Sequence, residues 1–300
     1  MTRSRAATFL PRCACIDVGS NTTRLLVAEA DGGRLREIVS GRAFTRLGEA
    51  GAGEVGAEKI AEVTAIVARQ ARLADELGSE SLRVVATAAV RQALDRDALT
   101  AAIEASCGAT LEILSSEEEA RLAFSGAIAA LPVPPEGLLG VVDVGGGSTE
   151  LVLGTSRGGV EWSVSLPFGS SSLTRTDLPT DPPAPADLAA LREKLAGAFA
   201  QVDSPQPLAA YAVGGSATSM QRLMGAALDR AALTRGLKTL VSRPSEEVAL
   251  RLGLHPERTR LLPAGILLLD AASRALGAPL LLAGGGLREG VVLEQLAALG

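Results

Sequence analysis

The chain has 300 residues, 47% of them hydrophobic and only 2% aromatic, with a net charge of −5, one histidine and three cysteines. So few aromatic rings leave no stacking platform for single-stranded nucleic acid, and the acidic balance argues against general DNA binding. One histidine excludes any multi-His metal site; His255 lies beside Pro256 in "GLHPERTR" and reads as a turn residue.

The length suits two domains. Cys13, Cys15 and Cys107 form an odd set with no disulfide framework, which points to a reducing compartment. No apolar run reaches the roughly 18 residues of a membrane helix. The N-terminal "MTRSRAATFLPR" lacks the apolar core of a signal peptide. The expected protein is soluble and cytoplasmic, with neither DNA nor membrane as partner.

In chain order, "CIDVGSNTTRLLV" (Cys15 to Val27) reads as strand, turn, strand, with Asp17 inside the first apolar run. Ile60, Val63, Val67 and Leu77 follow helical spacing, and Gly78 supplies a stop. "LRVVAT" reads as a buried strand, "RDALTAAIEAS" as a helix and "TLEIL" as another strand. "SSEEEA" offers two overlapping capping boxes, Ser115 with Glu118 and Ser116 with Glu119, opening a helix from about Glu117 to Ala130. "LPVPPEG" (Leu131 to Gly137) is a break and sets the expected division into domains 1–130 and 131–300. The second half opens with a strand from Leu138 to Asp143 and strands near Leu151 and Val160. An ordered Pro-rich loop, "LPTDPPAPAD", follows, then helices near Leu188–Ala200 and Ser216–Gly225, with more after Arg230. Strands alternating with helices in each half predict two α/β domains with a cleft between them.

The halves share a motif. "IDVGSNTTRLLV" and "VDVGGGSTELVL" align Asp17 with Asp143, Gly19 with Gly145, Thr23 with Thr149 and Leu25 with Leu151, while Arg24 stands opposite Glu150. Two more glycine turns follow apolar runs, in "YAVGGSATSM" (Gly214, Gly215, Ser216) and "LLLAGGGLREG". Glycine lets backbone approach a ligand closely, and helix N-termini present free N–H groups to anions. Four such turns in one chain point to phosphate.

"DVGSNTTRLLV", "VATAAVRQA", "SSEEEARLAFSG", "VVDVGGGSTELVLG", "SLPFGSSSLT", "AVGGSAT" and "GLREGVV" together resemble the exopolyphosphatase/guanosine-pentaphosphatase (Ppx/GppA) family of the actin–sugar kinase–Hsp70 superfamily. The resemblance spans nearly the whole chain and fits the short, two-domain form. It implies two ribonuclease-H-like (actin-like ATPase) α/β domains around a cleft. It also implies release of terminal phosphate from inorganic polyphosphate or from pppGpp, with Mg²⁺, and is compatible with a homodimer.

The same resemblance implies that Glu119, directly before Ala-Arg, is the general base, leaving Glu118 to cap the helix. Asp17, Asp143 and Glu150 read as ligands to the metal or its water, since Mg²⁺ prefers a few carboxylates with water and phosphate oxygens. The alternative for Asp17 is a turn-capping acid. Gly19, Ser20, Asn21, Thr22, Arg24 and Arg91 read as phosphate contacts. So do Gly145, Gly146, Gly147, Ser148 and Thr149, and Gly214, Gly215 and Ser216. Arg288 reads as a contact to the far end of a ligand.

Three departures bear on substrate preference: Asp95 where the family often has Asn, no Cys-Val-Arg in "PFGSSSLT", and Ser-Ala in "VGGSAT". Two other functions compete. One is an ATP-dependent small-molecule kinase of the same superfamily. The other is a non-catalytic guanosine-polyphosphate sensor, which the presence of Glu119, Asp143 and Glu150 disfavours.

Overall fold

The apolar runs around Asp17 and Asp143 become central strands of two sheets. A computed structural model describes residues 10–32, 34–49, 53–225 and 227–299. The first sheet is built from β1 (Arg12–Val18), β2 (Thr22–Asp31), β3 (Arg34–Phe44), β4 (Ser81–Ala86) and β5 (Leu111–Ile113). Its order is β3-β2-β1-β4-β5, with β1 antiparallel to β2 and parallel to β4. The helices of this half are α1 (Ala57–Glu76), α2 (Ala88–Gln92), α3 (Arg96–Cys107) and α4 (Ser116–Ala129).

The second half repeats the plan. Its strands are β6 (Leu139–Val144), β7 (Thr149–Thr155), β8 (Gly159–Leu166), β9 (Ala209–Val213), β10 (Ala227–Leu228) and β11 (Leu280–Leu282). Their order is β10-β11-β9-β6-β7-β8, so β8-β7-β6-β9-β11 mirrors the first sheet and β10 is an added edge. Helices α5 (Ser170–Asp177), α6 (Pro185–Phe199), α7 (Gly214–Met224), α8 (Arg230–Leu240), α9 (Ser245–Leu252), α10 (Pro256–Ala275) and α11 (Leu287–Leu299) complete it.

Central strands buried on both faces need continuous apolar runs, and β1 and β6 have them. α1 turns Val63, Ile66, Val67, Ala71 and Ala74 inward and ends at Gly78, whose φ of 72° forms the left-handed stop. The Pro-rich loop is ordered: Asp181 accepts hydrogen bonds from the backbone N–H and the hydroxyl of Ser245. His255 is the N-cap of α10 and accepts from the Glu257 N–H through Nδ1.

The helices do not follow the two halves of the sequence. α4, from the first half, packs on β6, β7 and β8 through Ala120, Phe124, Ala127 and Ile128. α11, the last helix, packs on β1 and β2 through Leu287, Val291, Val292 and Leu296, covering Cys13 and Cys15. The two helices touch where they cross. A Cβ on Gly126 would lie 2.0 Å from the Gly286 carbonyl oxygen, and one on Gly290 would lie 2.0 Å from that of Leu122.

Candidate active site

Two matching rows of side chains cross the sheets. In the first, Asp17 pairs with Arg24 and Arg24 with Arg42, across β1, β2 and β3. In the second, Asp143 pairs with Glu150 and Glu150 with Ser165, across β6, β7 and β8. Each row begins with an aspartate just before a glycine turn. The turns close alike: Gly19 N donates to Thr22 O at 3.1 Å and Gly145 N to Ser148 O at 3.0 Å. Beyond the aspartate the rows part, one carrying two cations and the other a further acid.

The turns face each other at contact distance. A Cβ on Gly147 would lie 2.7 Å from Ser20 Oγ, and one on Gly146 would lie 3.0 Å from Ser20 Cβ. The third turn packs on the second aspartate: Gly214 has φ 83°, and a Cβ there would lie 2.4 Å from Asp143 Oδ1. Only glycine fits such a close approach.

Between the sheets lies a cavity of about 310 Å³. The structure brings Asp17, Gly19, Ser20, Asn21, Thr22, Arg24, Glu119, Asp143, Gly145, Gly146, Gly147, Ser148, Gly214, Gly215 and Arg288 to its wall. Four expected residues stand elsewhere. Glu150 is buried behind the wall, where its carboxylate accepts from Ser165 Oγ at 2.8 Å. The Thr149 hydroxyl donates to the Phe168 carbonyl at 2.7 Å, so strand alternation has turned it away from the ligand side. Ser216 is buried inside α7, facing Gly265 of α10. Arg91 donates from Nη1 to Glu119 Oε2 at 3.1 Å and to the Leu114 carbonyl at 2.6 Å, so its guanidinium is engaged by the carboxylate.

Glu118 and Glu119 divide their work. Ser115 Oγ accepts from Glu118 N, and the Glu118 carboxylate accepts from Ser115 N, completing one capping box. Glu119 takes no part in it, is 8% exposed and faces the cavity.

Sequence reasoning missed Arg42 and Arg258 on the same wall. Arg258 is 7% exposed, its Nε has no partner among the described residues, and its guanidinium lies under Gly215. Arg288 donates to the Leu25 carbonyl and to Ser40 Oγ, within the fold, while still lining the cavity. Arg258 stands in the polar first turn of α10, among Glu257, Thr259 and Arg260, where it reads as an ordinary exposed helix-start residue. Arg42 gave no sequence signal, because β3 has no regular alternation.

Both acids and arginines along the cavity are held away from their ordinary charge balance. Burial and then Glu150 push Asp143 up to about 7. Burial and then Glu150 hold Glu119 well above the usual carboxylate range, with Arg91 opposing. Burial also raises Asp17, with Arg24 opposing. Conversely, burial and then Arg288 bring Arg24 down to about 10, and burial, Arg42 and Arg24 bring Arg258 down to about 9. A cation would relieve the acids and an anion the arginines.

The donor set fits a hard divalent cation bound together with substrate. Among the described residues no cluster of three or more His, Cys, Asp or Glu forms a protein-only cage. Asp17 and Asp143 offer carboxylate oxygens on the wall, which matches the way Mg²⁺ keeps its waters and takes phosphate oxygens.

The profile of the Ppx/GppA phosphatase family matches residues 26–299. The chain belongs to the Ppx/GppA phosphatase family. Within it, the chain is 31% identical over 306 residues to exopolyphosphatase 1 of Mycobacterium leprae, covering 95% of this chain and 89% of the relative. It is 31% identical over 296 residues to exopolyphosphatase 2 of Mycobacterium tuberculosis, covering 89% and 91%. The Ppx/GppA family member of Aquifex aeolicus superposes with a TM-score of 0.82 at 28% identity, covering 97% of this chain and 99% of that one. The two-sheet α/β architecture with actin-like units is thus the family fold. Among the described residues, no helix is long and apolar enough to cross a membrane.

Proposed function

We propose that this Ppx/GppA family member is an exopolyphosphatase that releases terminal phosphate from inorganic polyphosphate. The observation that carries the reading is the opposition of the two rows. Arg24 and Arg42 extend one aspartate's row and Glu150 the other's, so the cavity joins cations suited to a polyanion with acids suited to a metal ion. Its exopolyphosphatase relatives span nearly the same length.

Backbone N–H groups of the facing turns and the Ser20 and Ser148 hydroxyls hold the terminal phosphoryl group. Arg24, Arg42, Arg258 and Arg288 hold the following phosphates. Glu119 takes a proton from the attacking water as its oxygen bonds to phosphorus. The bridging P–O bond breaks, and its electron pair leaves with the shortened chain. Asp143 and Asp17, with Glu150 behind them, would hold the divalent cation. When bound, that cation neutralises charge on the phosphate oxygens and favours ionised acids around it.

Burial of Glu119 beside Glu150 is what makes Arg91 necessary: it orients the carboxylate and favours its charged form. The guanosine polyphosphate pppGpp presents the same terminal phosphoanhydride and is the second substrate of this reading.

The test is phosphate release from polyphosphate, pppGpp and ATP, with and without Mg²⁺. Mg²⁺-dependent release from polyphosphate is expected. Release from none of the three would end the reading, and transfer from ATP to a small acceptor would replace it with a kinase.

A further inference from the structure

The loop after β3 joins the first glycine turn to the opposite half of the molecule. Thr45 N and Arg46 N both donate to the Asn21 carbonyl at 3.1 Å, and Gly48 N donates to that of Ser20 at 2.8 Å. Thr45 is fully buried, with its hydroxyl 3.2 Å from that of Thr23. The loop is therefore an outer layer on the turn formed by Gly19 to Thr22, and the two move as one piece.

The outer side of this loop is fastened across the cleft at three points. Phe44 stacks on His255 with ring centroids 4.4 Å apart and planes 24° apart. Arg46 makes a two-pronged contact with Glu257: Nε to Oε2 at 2.8 Å, with Nη2 on Oε1. Arg175 of α5 donates to the Gly48 carbonyl.

Each fastening comes from an element that also serves the cavity. His255 and Glu257 open α10, whose next residue, Arg258, lines it. α5 begins on the second turn, with Ser170 N donating to the Gly145 carbonyl at 2.9 Å and Ser171 N and Ser172 N to that of Gly146 at 3.0 Å. Arg46 also has φ 50°, the only positive φ of any described residue other than glycine. Such a backbone persists only where its surroundings over-determine it, and here those are the Asn21 carbonyl on one side and Glu257 on the other.

We propose that Phe44–Gly48 is a strap that ties closure of the cleft to placement of the first phosphate-holding turn, with the Arg46–Glu257 pair as its fastening and Arg46 as a positioning residue. Opening the cleft to admit a polyanion breaks the pair. Remaking it seats Ser20 against Gly146 and Gly147 and so assembles the two turns around the terminal phosphate. Neither Arg46 nor Glu257 lines the cavity, so their effect passes through the turn.

The proposal rests on the hydrolase reading, and the experiment separates the two. Polyphosphate hydrolysis and small-angle scattering are measured on wild type, Arg46→Glu, Glu257→Arg and the double charge swap. Each single variant is expected to lower kcat by about 10- to 100-fold, the scale of a misplaced reacting group. KM should change less, and the radius of gyration should rise. The double swap should recover both. If either single swap fails to fold, Arg46→Gln and Glu257→Gln are read in its place, with the same expected direction.

The strap is overturned if the single losses simply multiply in the double variant, as independent sites do. It is equally overturned if the radius of gyration stays unchanged or kcat is unaffected. A wild type that releases no phosphate ends the hydrolase reading instead, and scattering then decides the strap alone.

Discussion

Arg91 and Glu119 come from different helices, and Arg91 holds the carboxylate through Nη1 at 3.1 Å while the same nitrogen holds the Leu114 carbonyl at 2.6 Å. The second bond anchors the arginine to the chain just ahead of α4. The guanidinium is thus a fixed bracket, and it sets which oxygen of Glu119 is free to face the cavity.

Glu119→Ala should abolish turnover and leave polyphosphate binding nearly unchanged. A positioned base contributes about 10²- to 10⁴-fold, so kcat should fall by that much. Arg91→Gln removes the group that opposes the upward push on Glu119, so the acidic limb of the kcat/KM profile should move to higher pH. Steady-state kinetics across pH check both. A Glu119→Ala enzyme with near-normal kcat would reduce Glu119 to a helix-start residue.

Asp143 gives a stability signature in the metal-free protein. Its folded value of about 7 lies above its ordinary value of 3.8, so between these the folded state keeps a proton that the unfolded chain has lost. Stability therefore falls as pH rises from about 4 through 7, by an amount on the order of 4 kcal/mol. Urea unfolding across this range should show the slope, Asp143→Asn should make it shallower while leaving the share of Glu119 and Asp17, and Mg²⁺ should offset it.

If Arg258 serves the substrate as proposed, it does so at a cost in stability. Its buried guanidinium has an Nε without a partner among the described residues and faces other arginines. Arg258→Met should stabilise the ligand-free protein by about 1 kcal/mol or more, because an uncompensated buried charge is removed. The same change should raise KM for polyphosphate. Denaturant midpoints and kinetics on the one variant test both, and a destabilised Arg258→Met would show that the guanidinium is a structural brace.

Gly126→Ala should be severe although Gly126 does not itself line the cavity. The new methyl would meet the Gly286 carbonyl at 2.0 Å and Gly290 N at 2.6 Å, both backbone. Neither partner can rotate aside, so a loss of about 1–3 kcal/mol is expected by urea unfolding.

Much of this site could be read from the sequence because it is local. An aspartate, a glycine turn and a strand within a dozen residues fix their own geometry, and the repeat fixed it twice. The helix start before Glu119 was legible for the same reason, since a capping box spans one turn, but two boxes overlapped there and only the family resemblance assigned Glu118 to the cap and Glu119 to the cleft. Arg42 was hidden because β3 is an edge strand whose exposure follows no clean alternation. Arg258 was hidden because nothing within α10 says that it lies under Gly215. Thr149 and Ser216 stand off the cavity wall, and the sequence does not show it, because a hydroxyl in a glycine turn looks the same whether it meets phosphate, a backbone carbonyl as at Thr149, or the packed face of a helix as at Ser216. Asp95 accepts from Val55 N and Gly56 N at 2.8 Å each, so that departure from the family pattern anchors the start of α1.

The exchange of α4 and α11 has a consequence for how the chain is made. As the ribosome releases the protein, the face of the first sheet that carries Cys13, Cys15, Leu26, Ala28 and Val85 finds buried partners in the first half only at Leu114 and Leu122. Its lid, α11, leaves the ribosome only after all the strands of the second sheet. Until then an apolar surface stands open to other nascent chains, and the first half waits, sheet formed and core incomplete, for a helix encoded beyond the whole second sheet.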